Sequence, residues 1–521
     1  MLEEVAYTAM PCNMGAPETL SDFLVYTYEN YTDEQYGLIL WDHGGGPLYG
    51  FGSDELYGYD GLGIWELQEA LNNSYFAYEP LEFIGFDACL MASLEVACAL
   101  APYARYMIAS QEVEPGSGWD YSFLQTLNYS TETLELMNSI LVTYRDSMEA
   151  DPWRPEYTLS CIDLFWMGDL NAMLGSVWYQ MRQNLAQGGS PALARSRNRT
   201  KAFGLGAVSD RGNSYDLVDI GHMVDSLGLT YATNSQNFWA YLQLAVLGQV
   251  TNVPHTCGLS IYYPYDNKYL YTNGGIYFDF FGILEGYQQY MNAFAQQWLS
   301  GRGNIRLGNQ QKLQPETQYL TFRLEQEQLA ELAQVRYTVL QYLPEQDCYQ
   351  PMLIDIPAEV DEQGLVKIPK DPDVFLMYTD AALEGEEGVF WPVSLVESSS
   401  EYNRYVSNIS GLLTSLDVIA GGHEPIQITL AENLQTGKVE IQSILSRSWA
   451  DSAFYGRQDV SIEHFGADAF LPENLYITQD EEGQPLPWNQ WQSSTLFTTV
   501  YSNYEDGFWL EKGKHSQLEG Q

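Results

Sequence analysis

Two short apolar runs, each closing on a reactive side chain, restrict the fold of this 521-residue chain more than any other feature. Tyr36 to Leu40 runs through Trp41-Asp42 into His43, and Leu81 to Phe86 runs through Asp87-Ala88 into Cys89. Apolar runs of this length read as strands. The 46 positions from His43 to Cys89 suit one strand-crossover-strand unit. Parallel strands joined in this way end at a common rim, where α/β folds carry their reactive groups. A His and a Cys there would form a nucleophile and its proton-transfer partner.

The surrounding sequence continues the alternation. Helical patterns cover Leu20–Tyr31, Leu62–Leu71, Met91–Leu100, Thr131–Met148, Met167–Leu185, Leu217–Leu227, Ser235–Leu247 and Phe280–Leu299. Between them, Gly37–Trp41, Leu81–Phe86, Tyr106–Ala109, Tyr157–Ile162 and Gly258–Tyr263 read as strands. This predicts an α/β fold, a mostly parallel sheet flanked by helices, over residues 1–300. Leu38-Ile39-Leu40 and Phe83-Ile84-Gly85-Phe86 read as strands buried on both faces. A Gly-, Gln- and Asn-rich stretch at 301–315 reads as a linker. After it, Tyr319–Leu324, Val335–Tyr342, Val374–Tyr378, Gly388–Leu395, Ile426–Leu430 and Val439–Leu445 predict a β-rich, sandwich-like C-terminal domain over 316–521.

Composition excludes several functions. With 69 acidic against 23 basic residues the net charge is −46, so nothing could neutralise a nucleic acid's phosphates. That field favours basic peptides or cations as partners. The plainer reading is that it keeps the protein soluble. The six cysteines form no C-x-x-C pair, which argues against a zinc site. No apolar run approaches the roughly 18 residues of a membrane span. Met1-Leu2-Glu3-Glu4 is acidic where a signal peptide is basic.

Chemistry concentrates around the two strand ends. Gly44-Gly45-Gly46 after His43 leaves backbone amides able to face an oxyanion. Leu90 to Ala97 after Cys89 is a strong helix former, and a thiol at a helix's positive pole has a lowered pKa. Taken singly, a buried cysteine or a structural histidine is the commoner case. Together, Leu38-Ile39-Leu40-Trp41-Asp42-His43-Gly44-Gly45-Gly46 and Gly85-Phe86-Asp87-Ala88-Cys89-Leu90-Met91-Ala92 are specific. With Ala109-Ser110-Gln111-Glu112, Pro115-Gly116-Ser117-Gly118-Trp119-Asp120-Tyr121 and Gly258-Leu259-Ser260-Ile261-Tyr262-Tyr263-Pro264, the chain resembles the clostripain family of cysteine peptidases, in the clan of caspases, legumains and gingipains. The resemblance spans about residues 18 to 300.

That resemblance implies a caspase-like fold and a catalytic dyad of Cys89 as nucleophile and His43 as proton carrier, with the amides of Gly44 and Cys89 as oxyanion hole. It implies protein or peptide substrates cleaved after Arg or Lys, with Asp87 in the pocket for the basic side chain. An aspartate beside a cleft can bind a guanidinium bidentately; the alternative is a helix cap. Glu112 and Asp120 could line the same pocket or be solvated loop carboxylates. The resemblance also implies a secreted or cell-envelope bacterial protein needing no cofactor. Asp54, Glu55 and Asp60 offer oxygens to Ca²⁺, but without EF-hand spacing.

Other readings stay open. Some 35 residues precede the strand to His43, so the family's two earlier strands are expected to be missing, as in an N-terminally incomplete copy with that strand at a sheet edge. No Lys or Arg occurs from Gly44 to Ala88, which argues against self-processing there by a basic-specific enzyme. Asp216, Asp219 and His222 read as the solvated face of a helix. The runner-up function is an inactive or truncated relative serving as an extracellular binding module.

Overall fold

The computed structural model describes residues 12–31, 35–58, 60–115, 118–128, 130–150, 156–204, 215–227, 232–265 and 285–299. Beyond these it describes 314–315, 318–332, 334–343, 348–361 and 363–379, then separate strands as far as 514. The strands that position the site are β1 (Gly37–Trp41), β2 (Leu81–Asp87), β3 (Ala104–Ala109), β4 (Thr158–Asp163), β5 (Ala202–Phe203), β6 (Leu217–Asp219), β7 (Val246–Thr251) and β8 (Ser260–Tyr262). The helices are α1 (Pro17–Asn30), α2 (Ile64–Asn72), α3 (Leu94–Leu100), α4 (Thr133–Ala150), α5 (Met167–Ala186), α6 (Ser190–Arg199), α7 (Ile220–Ser226), α8 (Ala232–Ala245) and α9 (Glu285–Leu299).

Five strands form one sheet in the order β1-β2-β3-β4-β7. β1, β2 and β3 pair in parallel, whereas β4 joins β3 and β7 in antiparallel fashion. A second sheet, β8-β6-β5, is antiparallel. This is the expected α/β architecture, with the parallel strands gathered at the site.

Strand alternation builds a core on each face of the sheet. Leu38 and Leu40 of β1, Ile84 and Phe86 of β2, Met107 of β3 and Ile162 of β4 join one cluster with Leu67 of α2, Leu94 of α3 and Leu174 of α5. Phe83, Tyr106, Ile108, Leu159 and Cys161 point the other way, onto Met137, Ile140 and Tyr144 of α4. β2 is therefore apolar on both faces, as expected of a central parallel strand. β1 corrects the matching expectation for Leu38-Ile39-Leu40. It is the outermost strand of the described sheet, only Leu38 and Leu40 are buried, and Trp41 is 71% exposed.

Two helical expectations also change. Leu217–Leu227 divides into β6 and α7, because Asp219 ends the strand and its side chain accepts the His222 amide as helix cap. Ser235–Leu247 ends at Ala245, and the β-branched Val246–Thr251 that follows is the strand beside β4. The sequence pattern also missed α6. The expected linker lies mostly outside the described residues, but Gln314–Pro315 pairs with Tyr319–Arg323. All six strands expected after residue 316 are strands, and four of them lie in one eight-stranded sheet in the order 454–457, 439–447, 423–433, 404–415, 389–399, 373–379 and 508–514, with Ala467–Pro472 paired on 404–415.

Candidate active site

The register of β1 on β2 decides which strand ends meet. Trp41 is the partner of Asp87, so His43 and Cys89, each two residues further, leave their strands at the same rim of the sheet. The approach is close. A Cβ on Gly44 would lie 2.1 Å from the Cys89 carbonyl oxygen, so only glycine allows this main-chain contact. Gly44 also faces Phe51 in an isolated bridge, whose bonds are Gly45 N–H to Gly50 O and Gly52 N–H to His43 O. That bridge leaves the Gly44 amide out of its hydrogen bonds.

His43 is 9% exposed. Its Nε2 lies 3.8 Å from Asp42 Oδ1, and the same oxygen accepts the His43 amide at 2.6 Å. The carboxylate beside the ring restrains its orientation. Asp42 was part of the sequence motif but carried no role in the sequence reading.

Beyond Cys89 the chain turns sharply instead of entering a helix. Leu90 takes φ 66°, its amide donates to Glu112 O, and Ala92 donates to Ser110 O. Ser93 then caps α3, its hydroxyl accepting the Val96 amide. The expectation that a helix start lowers the Cys89 pKa is thus corrected, because α3 begins five residues later, at Leu94. Cys89 is fully buried, and its Sγ accepts the Glu114 amide at 3.3 Å. Burial first, then the carboxyls of Glu114, Glu112 and Asp87, push its thiol far above the ordinary cysteine value.

Asp87 follows the strand alternation to the α4 side of the sheet and is also fully buried. Its carboxylate accepts the Trp119 amide at 3.2 Å and the Tyr121 hydroxyl at 3.0 Å. Gly118, at φ +60°, makes this approach possible, since a Cβ there would lie 3.0 Å from Asp87 Oδ1. Asp87 is not a helix cap; Ser93 has that role.

Glu114 was not singled out from sequence, yet it touches both the thiol and the acid. Its Oε1 accepts the Trp119 indole N–H at 3.4 Å, while Oε2 is buried beyond the reach of any N–H donor. Burial, and then Asp87 by charge, hold the Glu114 carboxyl well above the usual range. Its place before Pro115-Gly116 was the only sequence signal, and that context reads as an exposed turn.

The other acids have different surroundings. Glu112 accepts the amides of Val113 and Gly204, both at 2.9 Å, and lies 3.9 Å from Lys201 Nζ. Asp120 accepts the Ser122 amide as the cap of the short helix Tyr121–Thr126. Asp54 accepts the amides of Met14 and Leu56, and Asp60 accepts the Asn13 side chain. Among the described residues no group of three or more His, Cys, Asp or Glu side chains is arranged to hold a metal ion.

The solvated face expected of Asp216, Asp219 and His222 is corrected. Asp216 is buried against Arg197 at 3.0 Å. Asp219 accepts Gln111 Nε2 and the Cys257 amide, and His222 Nδ1 accepts the Lys201 amide. No helix among the described residues is long and apolar enough to cross a membrane.

A family model described as the clostripain family, peptidase C11, matches residues 1–298. The clostripain of Hathewaya histolytica is 31% identical over 127 residues, covering 21% of this chain and 23% of that protein. The chain thus matches less than a quarter of that curated relative's length. A secreted C11 cysteine protease of Bacteroides thetaiotaomicron, solved with an irreversible peptide inhibitor, is 19% identical with a TM-score of 0.39, covering 50% of this chain and 76% of that one. An inactive zymogen C11 protease of Parabacteroides distasonis is 22% identical with a TM-score of 0.39, covering 55% and 79%.

Proposed function

The chain belongs to the clostripain family, and we propose that it is a cysteine endopeptidase using His43 and Cys89 as its dyad. The observation that carries this reading is the register that brings the two strand ends together, with Gly44 packed on the Cys89 carbonyl. In the proposed reaction Cys89 Sγ bonds to the scissile carbonyl carbon while His43 takes the thiol proton. The amides of Gly44 and Cys89 receive the developing oxyanion. His43 then returns the proton to the leaving amine as the C–N bond breaks, and water hydrolyses the acyl-enzyme. Because the thiol is neutral in its buried state, its proton leaves during attack on bound substrate, not beforehand.

The substrate class is a peptide with Arg or Lys before the cleaved bond, read by Asp87. Glu112 and Asp120 frame that pocket, the first tying its loop to Gly204 and the second shaping the turn after Trp119. The step needs no cofactor, and Asp54, Glu55 and Asp60 are the calcium candidates. Residues 1–300 form the peptidase unit, joined through 301–315 to a β-rich unit, and the protein works outside the cytoplasm or in the cell envelope.

A fluorogenic peptide series differing only at the residue before the bond tests this. Arg and Lys peptides should exceed the Gln peptide in kcat/KM by about a hundredfold, the scale of a desolvated charge pair. Equal rates across the series would overturn the basic specificity. No hydrolysis of any member would favour the binding-module alternative.

A further inference from the structure

We propose that Glu114 is a specificity-determining residue, forming with Asp87 a paired-carboxyl socket that holds one proton when empty and exchanges it for an Arg or Lys side-chain cation. This rests on the basic specificity proposed above.

The socket is built from two segments. Asp87 comes from the last position of β2 and Glu114 from the loop after β3, and both are fully buried. Glu114's main-chain amide donates to Cys89 Sγ, so its place is set relative to the nucleophile. Trp119 serves both acids, its amide on Asp87 and its indole on Glu114. The second Glu114 oxygen is buried beyond the reach of any N–H donor, the Asp87 carboxyl is hydrogen-bonded to Glu114, and no ion pair reaches Glu114 among the described residues. A buried carboxyl pair with no cation beside it is held together by a shared proton, and an N–H cation can take that proton's place with charge-assisted bonds to both acids.

Two carboxyls this close cannot both ionise in a dry site, so they titrate as a pair sharing one proton. The groups facing them are acidic or neutral: Glu112 from the same loop, Cys89 from the turn, Tyr121 from the short helix and Tyr144 from α4. None supplies a positive charge. An entering guanidinium would reverse the balance, because an adjacent cation favours the ionised carboxyl. The Glu114 proton would pass to solvent, and two carboxylates would meet the cation. A neutral side chain of similar shape could displace no proton and would gain no charge-assisted bond from the pair.

The test measures proton release and KM together. Benzamidinium binding is followed by calorimetry in two buffers of different ionisation enthalpy. Wild-type protein should release close to one proton per ligand near neutral pH, and KM for an Arg peptide should fall as pH rises through the titration of the pair. Glu114→Gln should abolish the release, flatten the KM profile and raise KM about tenfold, as expected for loss of one charge-assisted contact. Glu114→Asp should retain the release.

Binding of benzamidinium without proton exchange by wild-type protein would overturn the proposal, independently of how any variant folds. So would a Glu114→Gln enzyme with unchanged KM and pH profile. If either occurs while Arg peptides remain preferred, the socket fails but the basic specificity stands. If the peptide series shows no basic preference, both fail.

Discussion

At the end of β1, Trp41 is 71% exposed and the Asp42 side chain is 37% exposed, whereas every residue of the β2 end from Phe86 to Ala97 is buried. The two ends hold the two halves of one proposed reaction in opposite surroundings. His43, itself 9% exposed, lies against the half-exposed Asp42 carboxylate. Cys89 stands in a low-dielectric cluster whose neighbours are carboxyls, which disfavours any further negative charge. The fold therefore positions the proposed nucleophile without activating it. In the proposed reaction, activation comes from His43 and from what substrate does to the acids around the thiol.

Three changes test that contrast. The largest effect is expected at the open end, where His43→Ala should lower kcat/KM about a thousandfold through loss of the proton carrier. Its melting temperature should stay within a few degrees of wild type, since few core contacts are lost. A loss of folding comparable to the loss of rate would show that the histidine end is structural.

Gly44→Ala joins the two ends by forcing them apart, because the new Cβ meets the Cys89 carbonyl at 2.1 Å. The expected result is a rate loss of about a hundredfold, with destabilisation of about 1–3 kcal/mol from overpacking. Wild-type rates in this variant would mean that the close approach has no part in catalysis.

The smallest effect belongs to the sealed end alone. Glu95 of α3 is fully buried, accepts the Tyr262 amide and the Tyr287 hydroxyl, and has one oxygen with no partner. Burial pushes its carboxyl above the ordinary value. The unfolded chain therefore gives up this proton at lower pH than the folded one. The favourable contribution is present below the unfolded carboxyl pKa and is lost as pH rises through the higher folded value. Glu95→Gln should match wild type in thermal unfolding near pH 4 and exceed it by a few degrees near pH 8. A constant offset at both pH values would contradict this titration.

The same contrast explains what the sequence made legible. Apolar runs ending on His43 and Cys89 announced both strands, and their equal offset from Trp41 and Asp87 became the register. The divided elements were harder. Leu217–Leu227 has continuous helical spacing, and only the Asp219 cap, met by the His222 amide in three dimensions, separates β6 from α7. The buried acids were hardest, because Glu114 before Pro-Gly and Asp216 near Tyr-Asp-Leu carry local patterns of solvated turns. Their burial depends on partners distant in sequence: Asp87 for Glu114 and Arg197 for Asp216. For the same reason the helix expected at once behind Cys89 was misplaced, since the bonds from Leu90 and Ala92 to Glu112 and Ser110 hold that turn open.

The most direct test of the dyad is labelling with an irreversible, arginine-based, thiol-directed peptide probe, with the adduct located by peptide mass spectrometry. The exposed Cys12 provides an internal control for unspecific reaction. The account predicts one adduct, on Cys89, that is lost in His43→Ala and blocked by excess Arg peptide. An unlabelled Cys89 in folded protein, or labelling at Cys12 alone, would contradict it.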